Sequence, residues 1–167
     1  MSDPSAEAVP ERILLQTRSD YLEGFERLLG LASRELRIFD PDLSELEMNS
    51  TNRIAMLTRF LRESRTRRVY VALHDIENVT KHCPRLIALM GSYTSAFLIF
   101  QTQGEAAKVQ DCFVLADGDH LVRRPVRTQA RGVLALNDPK ECQPMRERFD
   151  EIWESSVQTV SVNTTGL

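Results

Sequence analysis

Through residue 102 the sequence switches repeatedly between two periods, and this alternation constrains the fold more than any other feature. Short apolar runs rich in β-formers, "RILLQT", "LRIFD", "RRVYVAL" and "AFLIFQT", read as strands. Between them lie stretches whose apolar residues recur at helical spacing: Leu22, Phe25, Leu29, Ala32 and Leu36, then Ile54, Leu57 and Leu61. Ser19 is positioned to cap the first of these helices. Pro84 suits the first turn of a third, "PRLIALMGS", because the N–H it lacks has no partner there. After residue 102 the rhythm changes: "CFVLAD", "HLVRR" and "GVLALN" follow one another with tight connections, as antiparallel strands do. A last helix opens at "DPKE", with Asp138 as cap and Cys142, Met145, Phe149, Ile152 and Trp153 along one face. The expected fold class is α/β: one domain with a mixed sheet flanked by helices.

The 167 residues suffice for one domain with a real core, expected over residues 11–156 with polar tails at 1–10 and 157–167. No apolar run approaches the roughly 20 residues of a membrane span, and the start "MSDPSAEAVPE" lacks a signal-peptide pattern. A cytoplasmic protein without membrane attachment is therefore expected. Three scattered cysteines, Cys83, Cys112 and Cys142, fit reduced thiols. The net charge of −3 argues against a general nucleic-acid binder. Among the basic residues, eighteen Arg stand against three Lys, a bias toward the side chain that forks carboxylate and phosphate.

The stretch "VQDCFVLADGDHLVRRPVR", residues 109–127, ends an apolar strand in an Asp–Gly turn. With the element order and the closing "RFDEIW", it resembles one half of a phospholipase D-like fold, over most of residues 12–155. That family's signature is His-x-Lys-x4-Asp followed by Gly-Ser-x-Asn, and its chemistry is phosphoryl transfer through a covalent histidine. Carried over position by position, Asp117 occupies the acidic place, while Gln110 stands for the nucleophile and Cys112 for the phosphate-holding lysine. Arg124, Pro125 and Arg127 fall on the small polar element. An amide neither attacks phosphorus nor titrates near neutrality, so the family mechanism is not expected to operate. "RELRIFDPDLSEL", "CPRLIAL", "DCFVLADGDHLVRRP" and "RFDEIWESS" also resemble an uncharacterised proteobacterial domain that occurs alone or beside GNAT-type acetyltransferase domains.

The resemblance implies a catalytically inactive binding or regulatory module, with a small anion or a protein as partner. It also implies a homodimer, because one half of this fold pairs with another across a cleft. The anion-binding candidates are Arg124, Arg127 and His120. Strand alternation sends Arg123 and Arg124 to opposite faces, whereas a bend at Pro125 would let Arg124 and Arg127 converge. The alternative is a hydrolase or metal-dependent enzyme built from Asp40, Asp42, His74 and Asp75 at strand ends, with Gln101 beside them. His82-Cys83 lacks a second pair at zinc spacing, so neither a structural metal nor a cofactor is expected.

Overall fold

The structure is a computed structural model describing residues 9–160. Its first half runs β1 (Glu11–Leu15), α1 (Arg18–Leu31), β2 (Glu35–Asp40), α2 (Thr51–Arg62), β3 (Arg68–Leu73), α3 (Glu77–His82), α4 (Pro84–Ser92) and β4 (Phe97–Thr102). A 3₁₀ turn at Gly104–Lys108 leads into β5 (Cys112–Ala116), β6 (His120–Arg124), β7 (Gly132–Leu136), α5 (Pro139–Glu154) and β8 (Ser156–Val157). The strands form one eight-stranded sheet in the order β1-β7-β6-β5-β2-β3-β4-β8. β2, β3 and β4 are parallel; β5 returns antiparallel beside β2 and starts the meander that β6, β7 and β1 complete.

Period-two alternation divides the core between the two faces. On one face Leu36, Ile38, Val69, Val71 and Val114 pack against Phe25 and Leu28 of α1, Leu57 and Leu61 of α2, and Leu86 of α4. On the other, Phe39, Ala72, Phe113 and Leu121 meet Cys142, Phe149 and Ile152 of α5. Trp153 extends that single helix over the far strands by stacking on Phe100 at 4.0 Å. The three cysteines are buried and unbridged. Among the described residues no helix is long and apolar enough to cross a membrane.

Local chemistry differs from the sequence expectation in three places. α1 is capped by Thr17 and not by Ser19, because Thr17 is extended and exchanges bonds with Asp20 in a capping box. Its buried face is Tyr21, Gly24, Phe25, Leu28 and Leu29, and Leu36 belongs to the next strand. α3 has no sequence signal: six residues are too few for a period, and its N-cap position is Ile76, which has no capping side chain. The expected tails lie largely outside the described residues; within them, Val157 pairs with β4 and Val160 is buried in the core.

Gly132 marks the closest approach in the meander. A Cβ there would stand 2.4 Å from the Arg123 carbonyl oxygen, and backbone in a paired strand has little room to yield. Gly132→Ala is expected to cost about 2 kcal/mol, within the range for overpacking, read as a lower urea midpoint at unchanged m-value.

Candidate functional site

Open α/β sheets bind ligands beyond the carboxyl ends of their parallel strands. Here those ends are Asp40, Leu73 and Thr102. Because β5 runs against β2, with Phe39 opposite Phe113, its first residue Cys112 lies at the same end of the sheet. A cavity of about 450 Å³ opens there, lined by Arg18, Asp42, Glu45, His74, Asp75 and Arg127 among others.

Arg124 lies beneath this crevice, only 1% exposed. The register sets it directly opposite Cys112, and alternation turns it toward α1 while Arg123 points to α5. Its guanidinium lies 4.6 Å over the Tyr21 ring, its Nε donates to Cys112 Sγ at 3.4 Å, and its Nη2 donates to Glu45 Oε2 at 2.5 Å. Arg18 holds the other oxygen of the same carboxylate. One glutamate thus sits between two arginines at the crevice. Its loop is anchored: Asp40 Oδ2 accepts the Leu43 N–H at 2.7 Å, Leu43, Leu46 and Met48 are buried, and Arg53 Nε donates to the Leu46 carbonyl at 3.2 Å.

Around Arg124 is a desolvated polar cluster. Burial pushes the Cys112 thiol above its usual range, the Asp40 charge adding to it, so the sulfur stays protonated near neutrality. Burial also raises Tyr21 well above the usual phenol value, and its hydroxyl has no hydrogen-bond partner among the described residues. Asp40 is raised by burial despite accepting the Leu43 and Asp42 N–H groups.

The acidic residues and His74 of the alternative enzyme site are brought together, but each already has a structural task. Asp40 ties the turn after β2, Asp42 accepts the Ser44 N–H at 3.0 Å and hydroxyl at 2.7 Å, and Asp75 accepts the Glu77 N–H at 2.7 Å. His74 places Nδ1 2.8 Å from the Thr102 hydroxyl and Nε2 3.1 Å from the Val109 carbonyl. A carbonyl only accepts, so Nε2 carries the proton and Nδ1 takes that of Thr102. Burial, then the nearby Arg127 charge, lowers the His74 pKa. Gln101 donates to the His74 carbonyl at 3.1 Å. Among the described residues no three His, Cys, Asp or Glu side chains are grouped to hold a metal ion.

The stretch 109–127 is split by the strand it contains. Gln110 is exposed ahead of β5, with its amide donating to the Lys108 carbonyl at 2.9 Å. Asp117 is at the other end of the strand, about 17 Å from Cys112 at the usual rise per residue. There its carboxylate accepts the N–H groups of Ser33, Arg34 and Glu35 at 2.8, 2.7 and 3.0 Å. His120 corrects the sequence expectation. It begins β6 at that same remote end, is buried, and its Nδ1 accepts the Asn137 N–H at 3.0 Å. It is no part of the crevice. Arg127 is: its N–H donates to the Gln110 carbonyl at 2.8 Å, and the bend after Arg124 carries its side chain to the cavity wall. Arg18, Glu45 and Tyr21 carried no distinguishing sequence pattern. Nor did Asp111, which is buried against α5 and forked by Arg148, with Arg123 Nε at 3.0 Å.

The fold is that of phospholipase D family proteins. Nuc from Salmonella typhimurium, a member of that family, superposes with a TM-score of 0.61 at 15% identity over 92% of this chain and 100% of its own. NucT from Helicobacter pylori gives 0.58 at 11% identity, over 90% and 99% of the two chains. TrmBL2, an archaeal chromatin protein, gives 0.64 at 10% identity over 95% of this chain, which spans 57% of TrmBL2. At these identities the likeness is one of fold. The chain itself belongs to the family described as a domain of unknown function, DUF7931, whose profile matches residues 12–164. Among curated protein sequences none matches it.

Proposed function

We propose that this is a catalytically silent phospholipase D-like domain whose crevice binds the phosphate or carboxylate of a small ligand. The observation that carries the reading is the Glu45 carboxylate held by both Arg18 and Arg124 at the cavity. Two guanidinium groups facing one carboxylate form a ready anion site, occupied by the chain's own side chain. Glu45 is 40% exposed and its loop backbone is anchored, so displacement requires only side-chain rotation. The arriving anion then takes the Arg18 and Arg124 bonds, with Arg127 on the cavity wall.

Phosphoryl transfer lacks its parts in this reading. Gln110 is an amide, Cys112 is a buried protonated thiol, and both ring nitrogens of His74 are engaged. Pairing with a second copy across the crevice, which the sequence resemblance implies, is part of the same proposal. The DNA binding of TrmBL2 is not carried over, because a net charge of −3 offers little surplus for a phosphate backbone.

Thermal shift and calorimetry with inorganic phosphate and sulfate test the site. Glu45→Gln removes the internal competitor's charge and is expected to tighten phosphate by about tenfold, whereas Arg18→Ala weakens it by a similar factor. The same preparation should leave bis(p-nitrophenyl) phosphate intact with or without divalent metal. Equal phosphate affinity in wild type, Glu45→Gln and Arg18→Ala would overturn the site. Turnover that co-purifies with the protein and disappears in Arg124→Ala would overturn the silence.

A further inference from the structure

β1 is an edge strand, and among the described residues nothing pairs with its outer side. Such edges are normally guarded by charge, proline or a covering element. This one has Pro10 before it and exposed Glu11 and Arg12 on it, and it exposes large apolar side chains beside them. Val9, Ile13, Leu14 and Val126 are four of the six exposed large hydrophobic residues among those described, with Ile13 at 38% and Leu14 at 68%. Three of the four lie on β1 or immediately before it, and Val126 lines the same cleft as Leu14. Singly exposed apolar residues need no explanation, but a cluster along an open strand edge does.

That cleft is the second observation. It encloses about 540 Å³ between β1, β6, β7 and the start of α5. Its charged lining is Arg12, Arg123, Arg131 and Lys140 against Glu141 alone. Arg12 pairs with Glu141 at 3.0 Å and Arg123 with the buried Asp111 at 3.0 Å. Arg131 and Lys140 face no acid within ion-pair distance among the described residues. In a chain of net charge −3 this is a local cationic surplus beside an unpaired edge.

Strand geometry joins the two features. Arg12 and Leu14 project to the α5 face and line the cleft, and Ile13 projects to the other. A segment adding to the outer side of β1 therefore sends alternate side chains toward Arg12, Arg131 and Lys140, and the rest beside Ile13. The chemistry that fits is acidic residues alternating with β-branched apolar ones. A second copy of β1 fits poorly, because it would bring the same cationic rim onto itself.

We infer that the β1 edge is a docking site for an extended, acidic segment of a partner protein, held by strand addition. Backbone pairing supplies affinity and the cationic cleft selects the acidic face. The site lies apart from the crevice and stands or falls independently of anion binding there.

The test uses the full chain and fluorescent heptapeptides in anisotropy titrations. A peptide alternating valine and glutamate is expected to bind, and its valine–lysine counterpart to bind at least about tenfold more weakly. Methylating the backbone nitrogens on one edge of the acidic peptide keeps its charge but removes its donors, and should abolish binding. The double variant Arg131→Glu, Lys140→Glu changes only exposed side chains; it should fold with an unchanged Tm and lose the acidic peptide. Failure of the acidic peptide to bind at millimolar concentration, or equal binding of its methylated form, overturns the inference. So does equal binding of the lysine peptide or preference for single-stranded DNA. A concentration-dependent dimer abolished by Leu14→Lys would assign the edge to a second copy and overturn it as well.

Discussion

Arg124→Ala is expected to lower the unfolding free energy by about 3 kcal/mol, because removing one partner of a buried pair leaves the others uncompensated. Three groups lose a contact at once, Glu45 its 2.5 Å bond, Cys112 its donor and Tyr21 the cation over its ring, and Asp40 loses a positive charge that favours its ionised form. Glu45 is partly solvated and keeps Arg18, which holds the cost at the lower end of the range for such pairs. Asp40 sets the floor, since it is only 3% exposed and the Arg124 charge favours its ionised form. Arg124→Met with Glu45→Gln removes both charges and keeps most of the volume, so it should recover at least half of the loss. Urea denaturation of the three proteins measures this directly. A single variant within about 0.5 kcal/mol of wild type, the range of an inconsequential surface change, would show that the pair does not hold the fold.

Asp117→Ala is the second change with a large expected effect, also about 3 kcal/mol, because it strips the partners from several backbone donors. Asp117 joins the β5–β6 turn to the start of β2. Its two oxygens accept the N–H groups of Ser33, Arg34 and Glu35 and the Ser33 hydroxyl, the last at 3.1 Å. It also stands at φ 60°, followed by Gly118 at φ 76°, and a left-handed position is less tolerant of Ala than of Asp. Burial pushes this carboxyl up, but the N–H bonds from Glu35, Ser33 and Arg34 together pull it down further, and it ends below its ordinary value. A carboxyl depressed in the folded state contributes stability that is fully present above the unfolded pKa and is lost as pH falls through the folded one. Wild type and Asp117→Ala should therefore differ most at neutral pH and converge at acid pH below 3.8. A gap independent of pH would place the effect in turn geometry alone.

Both expectations rest on contacts between residues far apart in sequence, and this separates what was legible from what was not. Seven of the eight strands and the long helices follow from local rules: a period of two or 3.6, a proline at the start of α4, and Asp138 accepting the Glu141 N–H at the start of α5. The same alternation sent Arg123 and Arg124 to opposite faces, as the structure has them. That positions 110 and 112 carry Gln and Cys is likewise a matter of residue identity and needs no coordinates. Tertiary structure decided what those positions face. Arg124 is 79 residues from Glu45 and Asp117 is 82 to 84 from the N–H groups it holds, so no window along the chain contains both partners. His120 followed Asp117 closely enough to suggest a shared site. A five-residue strand, however, carries the Asp117–His120 turn to one end of the sheet and leaves Cys112 and Arg124 at the other. Residue type and spacing determine which elements form and which side chains each of them carries. The antiparallel return of β5 beside β2 determines which charges meet, because only pairing between distant strands sets the distances on which electrostatics acts.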